Sequence, residues 1–230
     1  MSIAELPIVC QLDLKHGMFC VVRAKGKALS SGGYGVAITA EKVNDFLYIE
    51  EVLFLFERGT LNALSENMES LNSSQLYRLL PHFGISLPLY LVYSHLRSQD
   101  FRVLRHNPNR INILKRQQQI EPTNSQLLKR SLKRKVRDTI REAPFPQIPE
   151  KGICLCFDVY RPNTAFSKLD PGLPDFYVAS SFYNDARVTF DNCKSILESC
   201  KGIPLKLATV SDSGTVVMFG ITDLGIPSIT

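Results

Sequence analysis

A polar and basic stretch between residues 107 and 149 most constrains how this chain folds, because it interrupts an otherwise apolar pattern. It holds three consecutive glutamines at 117–119 and runs into the proline-rich APFPQIPEKG, a composition typical of linkers and insertions. The chain has 230 residues, and domains usually have on the order of 100–150. We therefore predict an N-terminal domain (1–106), a basic insertion (107–149) and a C-terminal domain (150–230). A hydrophobic fraction of 44% excludes wholesale disorder.

The excess of positive charge lies in the central part of the chain. Residues 102–141 hold twelve Lys or Arg and two acids, a net charge of +10, whereas the remaining residues sum to −5. A helix is predicted where apolar residues recur every four positions: Leu128, Leu132, Val136 and Ile140. Its other faces are basic, and we predict that they bind RNA phosphates through Lys129, Arg130, Lys133, Arg134, Lys135 and Arg137. A solvated helix face and a nuclear-localisation signal remain open alternatives.

Both apolar segments mix strand-like and helical runs, which predicts an α/β (α+β) fold. The N-terminal segment is interpreted as a strand, a loop and a strand (21–39), three helices (within 48–60, 71–84 and 86–101) and a short strand (101–106). We expect this small domain to have a winged-helix-like end. In the C-terminal segment we predict strands within 152–163 and 175–182, a short helix within 192–202 and a hairpin within 204–223.

Several kinds of chemistry have no support in the sequence. Six cysteines without a Cys-x-x-Cys pair, and four histidines all at or before His106, predict neither a disulfide scaffold nor a metal site. There is no phosphate-binding loop and no nucleophile elbow, so we expect no cofactor. The longest apolar runs have five residues, too short to span a bilayer, so we expect no membrane association. The N-terminus does not resemble a secretory signal, which favours the cytosol or the nucleus.

Six runs along the chain carry a family resemblance. In the first half they are Glu50–Glu51 followed by Arg58–Gly59, LVYSHLR at 91–97 and FRVLR at 101–105; in the second half they are FDVYRPN at 157–163, Pro-Gly-x-Pro at 171–174 and PLKLATVSDSGTVVMF at 204–219. In this order they resemble the larger non-catalytic subunit of the eukaryotic tRNA-splicing endonuclease. The resemblance implies a tRNA-intron-endonuclease-like C-terminal domain with a mixed sheet. It also implies a nuclear heterotetramer that processes precursor tRNA, in which this subunit pairs with the catalytic subunit that cuts at the 5′ site.

The same resemblance implies that the catalytic groups are incomplete. Catalytic subunits of the family use a Tyr, a His and a Lys for metal-free cleavage, in which a base, an acid and a cation assist attack by the ribose 2′-hydroxyl. Here Tyr160 stands at the Tyr position, Pro174 at the His position and Ile203 near the Lys position, with Lys201 and Lys206 close by. We therefore expect no enzymatic activity and interpret Tyr160 as a core tyrosine. An active nuclease that uses Tyr160 with another base remains a weaker alternative.

The C-terminal hairpin is apolar on both faces, and this predicts a partner surface. We assign the contact with the catalytic subunit to Asp212, Val216, Met218 and Phe219. The predicted function is that of a structural subunit that positions precursor tRNA and a catalytic subunit for intron removal. The alternative is a stand-alone winged-helix-like RNA- or DNA-binding module with a degenerate second domain, which needs no stoichiometric catalytic partner.

Overall fold

The computed structural model describes residues 7–26, 29, 32–37, 45–108, 153–162, 166, 171–182 and 189–222. The predicted basic helix, with Lys129, Arg130, Lys133, Arg134, Lys135 and Arg137, lies outside these residues. The described part contains helices and strands arranged around two mixed sheets, so the α/β fold class is confirmed.

Five strands form the first sheet: β1 (Ile8–Asp13), β2 (Met18–Ala24), β3 (Val36–Ala37), β4 (Asp45–Leu47) and β5 (Leu61–Leu64). Their spatial order is β3-β4-β2-β1-β5. β1 and β2 form an antiparallel hairpin, and Gly17 closes its turn at φ 63°, a left-handed conformation that glycine adopts without strain. β5 lies parallel to β1 on the opposite side from β2.

Three helices follow in the first half: α1 (Ile49–Glu57), α2 (Ser73–His82) and α3 (Leu87–Ser98). All three fall within their predicted ranges. At the start of α2, the Asn72 side chain accepts a hydrogen bond from the Gln75 amide and the Gln75 side chain accepts one from the Asn72 amide, each at 2.9 Å. The Ser86 hydroxyl accepts from the Leu89 amide at 3.4 Å and begins α3 in the same way.

A second five-stranded sheet contains β6 (Arg102–Arg105), β7 (Cys154–Tyr160), β8 (Phe176–Phe182), β9 (Leu205–Val210) and β10 (Val216–Ile221). The spatial order is β10-β9-β8-β7-β6, and every neighbouring pair is antiparallel except β8 and β9. That parallel pair is joined by α4 (Phe190–Cys200), as parallel neighbours require a crossover. The predicted strands, helix and hairpin are all present.

One buried cluster extends from the first sheet through the helices into the second sheet. Tyr93 of α3 lies at its centre, with its ring centroid 6.1 Å from that of Phe54 on α1 and 5.9 Å from that of Phe157 on β7. The apolar residues that recur at three- and four-residue spacing along α3 are all inside this cluster: Leu89, Val92, Tyr93 and Leu96. A helix from the first half therefore covers the inner face of the second sheet.

The opposite, outer face of the second sheet is covered in part by α4. A smaller core lies between them, with Tyr177 and Leu205 from the sheet and Cys200 from the helix. The helix ends at Lys201, whose left-handed backbone (φ 52°, ψ 41°) turns the chain back towards β9.

The domain boundaries at 106 and 150 stay predictions, as does the winged-helix-like comparison. The pairing of the strands nevertheless shows how the two segments are connected. β6 comes from the segment assigned to the N-terminal domain, and it pairs with β7, with Arg105 opposite Phe157. The second sheet is thus built from both sides of the basic insertion.

Candidate functional site

Tyr160, at the position that resembles a catalytic tyrosine, is enclosed at the end of β7. Its side chain is 4% exposed. The phenol donates a 3.5 Å hydrogen bond to the Gly172 carbonyl, and the ring packs at 5.2 Å against Phe166. A general base or acid must reach its substrate within hydrogen-bond distance. In this structure the hydroxyl is turned to a backbone carbonyl inside the protein.

The other two catalytic positions do not complete a site around Tyr160. Pro174 is buried. The ammonium of Lys206 lies 4.1 Å from the centroid of the Phe176 ring, on the inner face of the sheet that packs against α3. Tyr160 follows the inward-facing Val159, so by strand alternation it points to the outer face. Lys201 is exposed at the end of α4. Lys206 and Tyr160 therefore lie on opposite faces of the sheet, and the Pro174 side chain has no group that could transfer a proton.

A histidine–carboxylate pair that the sequence pattern does not predict lies in the same sheet. His106 follows β6, where its amide donates to the Cys156 carbonyl at 2.9 Å. Its Nδ1 lies 2.6 Å from Asp158 Oδ1, and the two side chains are 10% and 1% exposed. The ring also meets Tyr177 edge to face at 5.1 Å. His106 belongs in sequence to the N-terminal segment, and only the pairing of β6 with β7 brings it here.

β6 is fixed in place by a buried ion pair with α1. The Arg105 guanidinium donates two 2.7 Å hydrogen bonds to the two carboxylate oxygens of Glu50, and it stacks 3.7 Å above the Tyr48 ring. Burial alone would lower the pKa of Arg105, but Glu50 raises the pKa above its usual value. This planar, two-point geometry is one that arginine forms and lysine cannot. It ties the second sheet to the helices of the first half.

The two faces of β10 differ in exposure. Val216 and Met218 are half-buried and pack against the main core, on the side of α3. Val217 and Phe219 point to the outer face and are 45% and 55% exposed. Among the residues assigned to the partner contact, Phe219 is thus exposed, whereas Val216 and Met218 pack against the core of the chain itself. Val217, which is not among the assigned residues, belongs with Phe219 on the open face.

The turn between β9 and β10 presents the remaining assigned residue. Asp212 is exposed in a tight turn, where Gly214 (φ 81°) donates from its amide to the Ser211 carbonyl at 2.8 Å. Within the sheet as described, β10 pairs with β9 alone and forms its edge. An edge strand offers unpaired backbone groups along one side, and proteins commonly cover such an edge with another chain.

The structure describes no group of three or more His, Cys, Asp or Glu side chains that could hold a metal ion among residues 7–26, 29, 32–37, 45–108, 153–162, 166, 171–182 and 189–222. In the same part of the chain, no helix is long and apolar enough to cross a bilayer.

Comparison with known proteins finds two similarities, and the match to a family model lies in the first half of the chain. Residues 8–64 match the family described as tRNA-splicing endonuclease subunit sen54 N-term, a region that runs from the first residue of β1 to the last of β5. The chain is also 36% identical over 106 residues to the probable tRNA-splicing endonuclease subunit sen54 of Schizosaccharomyces pombe. That alignment covers 45% of this chain and 26% of the relative, so the chain spans about a quarter of the relative's length.

Proposed function

We propose that this chain is a non-catalytic subunit of a tRNA-splicing endonuclease, which positions precursor tRNA and a catalytic subunit for intron removal. The observation that carries the proposal is the match of the whole first sheet and α1 to the sen54 N-terminal family. The enclosed Tyr160 and the Pro174 at the position of the family histidine support a structural role over a catalytic one.

The proposed assembly is a nuclear heterotetramer in which this subunit pairs with the catalytic subunit that cuts at the 5′ site. The surface that we assign to this contact is the outer face and edge of β10, with Val217 and Phe219 at its centre and Asp212 at its end. It supports the proposal because apolar side chains on an exposed edge strand are typical of protein interfaces.

Precursor tRNA would be bound chiefly through the basic insertion. The insertion holds ten Lys or Arg and three acids, a net charge of +7, so most of its cations have no acidic residue nearby in sequence. Such a segment binds the phosphate backbone without reading sequence. The cleavage itself would come from the catalytic subunits.

Reconstitution tests the proposal. The full chain is purified alone and together with the catalytic subunits, and each preparation is incubated with an intron-containing precursor tRNA. We expect no cleavage by the chain alone, cleavage by the complex, and loss of cleavage when this chain is omitted. The variant Tyr160→Phe should leave the activity of the complex unchanged, because the phenol does not face the substrate.

Two outcomes would overturn this proposal. Metal-independent cleavage by the isolated chain that disappears in Tyr160→Phe would make the chain itself a nuclease. A chain that binds RNA but never forms a stoichiometric complex with catalytic subunits would instead be the stand-alone nucleic-acid-binding module.

A further inference from the structure

Two thiols meet near the start of β7. Cys154 and Cys156 lie on one strand with their Sγ atoms 3.6 Å apart, and the Cys156 thiol is also 3.2 Å from the Cys154 carbonyl. A β-bulge brings them together. Leu155 lies opposite Ala179 and Phe157 opposite Val178, so Cys156 is an extra residue without its own position on β8. Bulges bend a strand and redirect its side chains, and they are common beside functional groups.

The two thiols differ in their surroundings. Cys154 is partly exposed, and Cys156 is completely buried. A hydrogen bond from Cys156 lowers the pKa of Cys154 below its usual value. The same hydrogen bond, together with burial, raises the pKa of Cys156 well above its usual value. A thiolate is the reactive form of cysteine, so the accessible member of the pair is also the more nucleophilic one at neutral pH.

Three other cysteines lie in environments that suppress this reactivity. Burial raises the pKa of Cys10 and of Cys20. Burial also raises the pKa of Cys200 to about 11. These thiols are internal controls in the same chain.

We propose that Cys154 and Cys156 form a reversible oxidation site, with Cys154 as the thiol that attacks a peroxide and Cys156 as the thiol that resolves the product. In the first step the Cys154 thiolate attacks hydrogen peroxide, the O–O bond breaks, and a sulfenic acid and one water result after proton transfer. In the second step the Cys156 sulfur attacks the sulfenic sulfur, the S–O bond breaks, and a disulfide and a second water form. Overall, two thiols lose two electrons and two protons, and one peroxide is reduced to two waters.

The positions of the two sulfurs favour a disulfide bond that can form and that a thiol can readily reduce. A disulfide has an S–S distance of about 2.05 Å, so the two sulfurs must approach by about 1.5 Å from their present separation. Rotation of the partly exposed Cys154 side chain can supply this movement, whereas Cys156 is held by the core. A disulfide across a single intervening residue in a strand is strained, and strained disulfides have less negative reduction potentials. We therefore expect a thiol reductant to restore the pair.

The test uses the full chain treated with hydrogen peroxide while folded, then unfolded and alkylated with N-ethylmaleimide in denaturant so that buried thiols also react, and then digested with trypsin. Cleavage after Lys151 and Lys168 releases a peptide, residues 152–168, that contains both thiols and no other cysteine, since trypsin does not cleave between Arg161 and Pro162. We expect this peptide to lose two hydrogens instead of taking up two maleimides. Dithiothreitol should reverse the loss, and the peptide with Cys200 should stay alkylated throughout.

Variants assign the two roles. In Cys156→Ala we expect no two-hydrogen loss, a sulfenic acid on Cys154 that dimedone traps, and progressive over-oxidation. In Cys154→Ser, residues 152–168 should resist peroxide, because Cys156 is buried. Cys193→Ala, which removes a partly exposed thiol of α4, should behave as the unaltered chain does.

The proposal is overturned if residues 152–168 keep two alkylated thiols while other cysteines are oxidised, or if Cys154 pairs with a different peptide. Both outcomes are measured on the unaltered chain, so they hold even where a variant unfolds. Circular dichroism identifies such a variant.

Discussion

The Glu50–Arg105 pair is a buried polar link between α1 and β6, the strand at one edge of the second sheet. Two charged groups leave water to form it, and this desolvation costs free energy that a two-point hydrogen bond and a stacked Tyr48 ring offset. The ion pair therefore adds little net stability to the folded state; its contribution is of another kind. It lies in the penalty for any arrangement of β6 and α1 that separates the charges.

Removal of one partner should reveal that penalty. We expect Arg105→Met to lower the free energy of unfolding by about 3–5 kcal/mol, because a carboxylate that is 1% exposed loses its cation. The double variant Glu50→Gln/Arg105→Met should lose less, since no unpaired charge remains. Urea unfolding followed by circular dichroism measures both. Equal losses in the two variants would show that packing, and not charge, holds this contact.

Two tyrosines share one carboxylate where the three helices meet. The hydroxyls of Tyr77 on α2 and Tyr90 on α3 both donate to Glu57 at the end of α1. Burial, helped by the hydrogen bond to Glu57, raises the pKa of Tyr77 to about 12, and it raises that of Tyr90 further above its usual value. In the unfolded chain a tyrosine titrates near pH 10.

This contact should make the protein less stable in alkali. Above pH 10 the unfolded chain releases a Tyr77 proton that the folded chain keeps until about pH 12, so stability falls as pH rises through that window. The variant Tyr77→Phe lacks this titration. Urea midpoints between pH 8 and 11 should therefore show the unaltered chain losing stability relative to Tyr77→Phe. A constant difference across this range would contradict the assignment.

At the scale of elements, the sequence predicts the features that depend on residues close to one another along the chain. All three helices of the first half fall within the ranges that the local sequence predicts, within 48–60, 71–84 and 86–101. β1, β4 and β5 are not predicted, and the parallel pairing of β1 with β5 joins distant parts of the chain. The His106–Asp158 contact escapes prediction for the same reason. It depends on the register of β6 and β7, which lie on either side of the insertion.

The two faces of β10 should respond differently to the same substitution. Val217→Asp places a charge on a side chain that is 45% exposed, so the fold should persist while association with a catalytic subunit weakens by roughly a hundredfold or more. Val216→Asp puts the charge against the core and should lower the thermal midpoint instead. Circular dichroism and co-precipitation distinguish the two effects.

Val22→Asp is the matched control for this experiment. Val22 lies on β2 of the first sheet and is 53% exposed, so it receives the same charge on a strand far along the chain from the hairpin. We expect it to affect neither stability nor association. Normal association of Val217→Asp would place the interface elsewhere.

At the scale of the whole molecule, the excess of positive charge and the residues of the two sheets lie in different parts of the sequence. The two sheets and their helices come from the segments 1–106 and 150–230, which carry net charges of 0 and −2, whereas the insertion between them in sequence carries +7. RNA affinity should therefore depend on the insertion and fall steeply with salt.

We expect binding to precursor tRNA to weaken, and its salt dependence to fall, when neutral residues replace Lys133, Arg134, Lys135 and Arg137. Each phosphate that the protein no longer neutralises lowers the slope of log affinity against log salt by about 0.7–0.9. The control neutralises four exposed cations elsewhere in the chain and should leave the slope nearly unchanged. These four are Lys15, Lys25, Arg78 and Lys194. Filter binding over a salt series gives the slopes, and an unchanged slope in the first variant would reassign these residues to protein contacts or nuclear import.

The pairing of β6 with β7 also makes the insertion a closed loop. The chain on its two sides is held together, because the His106 amide donates a hydrogen bond to the Cys156 carbonyl. This contact does not depend on the number of residues in the loop. The entropy of closing such a loop grows only with the logarithm of its length, about 0.6 kcal/mol for each doubling. Homologous chains can therefore lengthen or shorten this loop with little effect on the stability of the two sheets, so the capacity to bind a polyanion can vary in evolution while the scaffold stays the same.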